Sequence, residues 1–222
     1  MRLTSQDHDQ VTAAVTAAEA STDGEIVTVV ASQSDAYHDV ALHWAVLAML
    51  LVLALLAAWP GFSLALHALV GDSWTPATPG ELFTTALILL AATFVLVRLL
   101  LAWRPLRLFL TPPTTKQRRV RRRALAYFRT AAEKRTHAAT GVLLYLSLDE
   151  RRAELIADEA IHSKVPEALW GEAMADLVEE VKAGRPGAGM AKAVERIGTV
   201  LAEHFPRSAS DRNELPDRLI EL

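Results

Sequence analysis

The chain has 222 residues, 51% of them hydrophobic and 22% charged, with a formal net charge of −3 and no cysteine. That length allows one or two domains with a buried core, and the composition excludes disordered, collagenous, coiled-coil and disulfide-stapled chains, thiolate-ligated metal centres and thiol catalysis. The charge is unevenly divided: residues 1–97 carry one basic side chain (Arg2) against nine acidic ones, whereas residues 98–222 carry 22 basic against 17 acidic.

In chain order, Thr4 with Asp7 three residues on has the form of a helix-capping box. Val11, Ala14, Val15 and Ala18 follow at helical spacing, which predicts a helix over about 5–20. Ser21-Thr22-Asp23-Gly24 is a turn, and the β-branched run Glu25–Ala31 reads as a buried strand. From Val40 to Gly71 there is no charged side chain over 32 residues. Its densest part, 41–59, has the length of a membrane span, with Trp44 and Trp59 near its ends. Trp59-Pro60-Gly61 should break it. A second apolar stretch, 82–103, is charge-free to Val97, and Arg98 stands where a long side chain can snorkel. The connector 60–81 has no Lys or Arg, whereas twelve lie between Arg98 and Arg135 with Glu133 the only acid. The positive-inside rule then predicts both termini in the cytoplasm and a two-span hairpin. No cleavable leader is expected, since Met1–Asp7 is polar where an apolar region should be.

Beyond the hairpin, 116–135 is basic, with Val120, Ala124, Tyr127, Phe128 and Ala131 on one face of a helix. Gly141–Leu148 is a second strand, Asp149–Arg151 a polar turn, and 152–158 a third strand of alternating character. Pro166 suits the start of a helix whose apolar face runs from Leu169 and Trp170 to Val181, ending at Gly184. Met190, Val194, Ile197, Leu201 and Phe205 mark a last helix stopped by Pro206. The tail 207–222 is polar and then closes on Leu215, Leu219, Ile220 and Leu222, expected either to dock on its own domain or to bind a partner. A helix and one strand before the hairpin are too little to bury a sheet, so the expectation is one α/β domain split by the hairpin. Its first two strands would be a parallel pair joined by a right-handed crossover that contains the insertion.

Several stretches together closely resemble the TPM domain family, most strongly its bacterial membrane-bound branch. They are Thr22-x-Gly24-Glu25-Ile26-Val27, Gly141-Val142-Leu143-Leu144-x-Leu146-Ser147, Glu150-Arg151-Arg152-x-Glu154-Leu155-Ile156-Ala157-Asp158 and Ile161-His162-x-Lys164-Val165-Pro166. The resemblance covers about residues 3–33 and 114–206. It implies a small α/β sandwich about a central sheet. It also implies links to photosystem maintenance, acid phosphatase activity or receptor accessory roles, often with bound calcium. The expected organisation is 1–34 and 114–206 as two parts of a cytoplasmic TPM-like domain, 35–113 as the transmembrane hairpin, and 207–222 as the tail.

No phosphate-cradling loop, nucleophile elbow or zincin motif is present. The candidates for a divalent-metal site, with calcium or magnesium as the suitable ion, are Asp23 and Glu25 at the start of the first strand, and Asp158, Glu159 and His162 after the third. Turn, cap and surface roles are the competing reading of all five. Arg151 and Arg152, with Arg118, Arg119, Arg122 and Arg123 of the basic helix, are candidates for phosphate or lipid contact. A basic cluster next to a membrane span points to topology and anionic headgroups rather than nucleic acid. The expected function is a membrane-tethered accessory or assembly module without enzymatic activity, meeting a membrane or cytoplasmic protein partner in a bacterial inner membrane. The alternative is a divalent-metal-dependent, phosphatase-like hydrolase.

Overall fold

A computed structural model describes residues 3–70, 77–131, 140–208 and 215–222. Thr4 caps the first helix, α1 (Ser5–Glu19), its hydroxyl accepting the Asp7 N–H while the Asp7 carboxylate accepts the Thr4 N–H at 2.7 Å. Strand β1 (Glu25–Ala31) follows, buried along its whole length. The apolar helix α2 (His38–Ala58) is entered through Tyr37, which is fully buried and left-handed (φ 52°). Pro60 ends that helix as expected, but the apolar sequence beyond it starts a new helix at once, α3 (Pro60–Val70). Proline is disfavoured inside a helix and favoured in a first turn, so one residue does both. Helix α4 (Pro79–Leu100) is capped by Thr78 and Glu81, and α5 (Arg104–Phe109) follows a short turn. The second apolar stretch thus ends as a helix before 103: Trp103 is extended (φ −72°, ψ 110°) at the start of α5, whose first turn takes Pro105.

The basic helix α6 (Pro113–Ala131) leads to β2 (Gly141–Ser147) and, through a turn, to β3 (Arg152–Ala157). A single turn, α7 (Glu159–His162), precedes α8 (Glu167–Lys182) and α9 (Pro186–His204), and the tail ends in β4 (Ile220–Glu221). Pro166 stands one position before α8 rather than within it, and Gly184 takes φ 82° just beyond it. Helix α9 starts at Pro186, earlier than its first large apolar residue.

The strands form one mixed sheet in the order β3-β2-β1-β4. β1 and β2 are parallel, with Glu25 opposite Gly141 and Ala31 opposite Ser147, and β2 and β3 are antiparallel. Both central strands are covered on two faces, which is why they read as mostly apolar rather than alternating runs. Ile26, Val30, Val142, Leu144 and Leu146 face a core built with α1, α8 and α9. Val27, Val29, Leu143 and Tyr145 face a second core under Val120, Ala124 and Phe128 of α6. The tail packs on its own domain: Leu215 and Leu219 are each 5% exposed, and β4 lies parallel to β1.

The chain divides into two compact units, 1–35 with 113–222, and 36–112. In the second, the most apolar 18-residue stretches of α2 and α4 have mean hydropathies of 2.6 and 2.2, and both helices are long and apolar enough to cross a membrane. Many of their large apolar side chains stay exposed, among them Leu51, Phe83, Leu87 and Leu99. Tyr37, Val40 and Leu108 make a small buried cluster of their own.

Candidate functional site

Parallel pairing of β1 with β2 and the antiparallel return of β3 carry Asp23, Glu25 and Asp158 to one end of the sheet. There they separate. Asp158 accepts the Gly141 N–H at 2.9 Å while its own N–H donates to the Gly141 carbonyl, which closes the end of the β2–β3 ladder. Asp23 accepts the Ser208 N–H at 2.6 Å. Glu25 is 5% exposed, and its carboxylate accepts the Leu215 N–H at 3.3 Å. Glu159 is exposed in the first turn of α7, and His162 lies beside Trp170 and Gly171. Asp23, Glu25 and Asp158 thus each hold a backbone amide, as turn and capping carboxylates do. Among the described residues no three His, Asp or Glu side chains are grouped so as to hold a metal ion.

Glu25 instead shares a hollow of about 180 Å³ with Glu19, Asp217, Thr16 and Arg207. Glu19 accepts the Ile26 N–H at 2.7 Å, and Thr16 donates to Asp217 at 2.8 Å. Burial pushes the Glu19 carboxyl up to about 8, the nearby charges of Glu25 and Asp217 add to this, and the Ile26 N–H opposes it. The pocket therefore retains a proton at neutral pH.

At the opposite end, beyond the carboxyl ends of β1 and β2, lies a polar cluster that the sequence reading missed. Glu150 is 6% exposed and accepts the Ser34 N–H at 2.8 Å and the Ser147 hydroxyl. The Ser34 and Tyr145 hydroxyls are 3.0 Å apart, and burial raises the Tyr145 hydroxyl above its ordinary range. Asp149 donates its N–H to the Ser32 carbonyl. Open α/β sheets bind ligands at this end. Here Ser34 and Ser147 take up the Glu150 oxygens, so the cluster ties the exit of β1 to the β2–β3 turn. Ser147, a polar residue closing an apolar strand, was the available signal.

The arginines divide as well. Arg119 and Arg122 reach Asp35 at 2.8 and 3.2 Å. Arg123 lies 5.1 Å over the Tyr127 ring, which stacks on Tyr145. Arg118 and Arg129, with Arg121 and Arg122, border a shallow surface hollow on α6 around Leu125 and Ala126. Arg151, left-handed at φ 51°, and Arg152 stand at the turn end of β3. There they border a groove of about 690 Å³ that runs on to Lys182 of α8.

Residues 107–200 match the TPM domain family, which takes in α6 through most of α9 and leaves out α1 and β1. The fold is similar to that of the BA42 protein from the psychrophilic bacterium Bizionia argentinensis, solved by NMR, with a TM-score of 0.57 over 100% of this chain and 97% of that one. At 16% identity that likeness is one of fold. No curated protein sequence matches the chain.

Proposed function

We propose that the chain, whose residues 107–200 match the TPM domain family, is a membrane-tethered accessory or assembly module without enzymatic activity of its own. The observation that carries this reading is the pair of apolar helices α2 and α4. They have 21 and 22 residues, and Leu51, Phe83 and Leu99 are 63%, 77% and 66% exposed. At about 1.5 Å per residue each matches a hydrocarbon core of roughly 30 Å. Exposed apolar surface of that extent needs a cover, and lipid supplies one. The Lys/Arg asymmetry between 60–81 and 98–135 supports a bacterial inner-membrane hairpin with both termini in the cytoplasm. Basic residues that follow the second apolar helix in the chain, Arg118 among them, supply attraction to anionic headgroups of about 1 kcal/mol per charge near the surface.

The metal-dependent hydrolase reading has less support, because Asp23, Glu25 and Asp158 serve three separate backbone amides. The test is topological. A reporter active only outside the cytoplasm should be active when fused at Ser73 and silent after Leu222. The reverse pattern would overturn the orientation, and recovery of the intact chain without membranes would overturn tethering.

A further inference from the structure

β3 is an edge strand: the order β3-β2-β1-β4 leaves its outer side without a neighbour strand among the described residues. Asp158 donates its N–H to Gly141 across the ladder, so antiparallel alternation turns the N–H and C=O of Ala153, Leu155 and Ala157 outward. Beside this edge runs α8, and two hollows lie between them, sharing Ala153. The larger, about 690 Å³, has a floor of Leu146, Leu177 and Val181 and is bordered by Arg151, Arg152 and Lys182. Val178, at 41% exposed, opens into it although it belongs to the apolar face of α8. The second, about 300 Å³, is bordered by His162, Arg121 and Trp170. Trp170 is 6% exposed, and its buried indole N–H has no acceptor among the described residues. Buried indoles ordinarily have one, so this donor is placed for a group supplied from outside. The charge around both hollows is cationic: four Lys or Arg side chains face the carboxylates Asp149 and Glu154, and Glu154 is engaged by Arg121 at 3.6 Å.

We infer that the β3 edge and α8 form a docking groove for an extended, acidic segment of a partner protein. The segment adds to the sheet as a further strand, its carboxylates at Arg151, Arg152 and Lys182 and an acceptor on the Trp170 indole. The inference deepens the accessory-module reading and rests on it for the existence of a protein partner. A main chain, rather than an acyl chain, is the fitting occupant because three outward pairs of backbone groups at strand spacing require donors and acceptors in return.

The test uses the full chain extracted in detergent and two fluorescein-labelled peptides, Glu-Val-Glu-Leu-Glu-Val-Glu and its counterpart with Lys in place of Glu. The acidic peptide should bind saturably and about tenfold more tightly than the basic one. It should shift the Trp170 indole N–H resonance and slow amide exchange at Ala153, Leu155 and Ala157. Replacing Arg151, Arg152 and Lys182 together by Glu should reverse the preference. Leu155→Pro, which removes an outward N–H and no ladder hydrogen bond, together with a half-buried side chain, should abolish binding while the melting curve stays cooperative. If Leu155→Pro disturbs folding, the charge-reversed chain decides. Equal binding of the two peptides, no saturable binding of the acidic one, or an unmoved Trp170 resonance would overturn the proposal. So would a Trp170 shift produced only by phosphatidylglycerol vesicles, which would assign the groove to headgroups. Because the chain is tested in detergent, a failed topology result leaves this outcome readable by itself.

Discussion

Glu19 departs far from the ordinary chemistry of its type. Burial beside Glu25 and Asp217 raises its carboxyl from 4.5 to about 8, so the folded chain holds a proton that the unfolded chain releases. Stability is then highest below the ordinary carboxylate value and falls as pH climbs from there towards about 8, levelling beyond it. The melting temperature of the full chain in detergent should fall between about pH 5 and pH 9 through this group. Glu19→Gln keeps an acceptor for the Ile26 N–H and removes the titration, so it should flatten that dependence and raise the melting temperature at the alkaline end. A variant that follows the wild-type curve would show that Glu19 does not titrate as described. Glu150 teaches a complementary lesson. Between Asp149 and Arg151 it reads as a solvated turn charge, yet it is buried against Ser34, 116 residues away in sequence. Residue type and local spacing carry no information about a partner so distant.

At the scale of elements, α9 is held by close approach. A Cβ added at Gly198 would lie 2.5 Å from the Ala18 Cβ, with the Ala18 Cα at 3.1 Å, so α1 and α9 meet backbone to backbone there. Gly198→Ala would improve helix propensity, but the overlap should outweigh that gain and destabilise the chain by about 1–3 kcal/mol. Chemical denaturation measures it, and a stabilised variant would show that α1 can shift at no cost. The tail is the second case. Leu215 and Leu219 are both buried, and β4 adds to the β1 edge. Each leucine contributes roughly 1.5–3 kcal/mol when fully buried, so deleting 215–222 should lower the melting temperature by several degrees. An unchanged melting temperature would make the docking energetically idle. The apolar pattern 215–222 allowed either self-docking or a partner; the unpaired side of β1, formed only after folding, decides for self-docking.

For the molecule as a whole, β1 and β2 are neighbours in the sheet although more than a hundred residues separate them in the chain. A sheet without β1 would leave β2 with one partner and β4 with none. Residues 1–35 joined through a Gly/Ser linker to 113–222 should therefore unfold cooperatively, whereas 113–222 alone should not. Differential scanning calorimetry of the two chains distinguishes these outcomes. A stable, cooperative transition in 113–222 alone would show that β1 is dispensable to the sheet.

Local sequence determined the apolar stretches, the helix caps, the central strands and the basic helix, because composition, periodicity and capping chemistry act within a few turns of chain. The faces of α1, α6 and α9 were legible for the same reason, and Val11, Val120 and Ile197 are buried where the spacing put them. Grouping the acidic residues into one site was not legible. Asp23, Glu25 and Asp158 do reach one end of the sheet, but strand pairing assigns each a different backbone amide. The same long-range pairing brings Glu19 to Asp217 and leaves β3 at an edge beside the Trp170 indole. Such placements depend on which strands become neighbours, and that is settled only when the separated parts of the chain fold together.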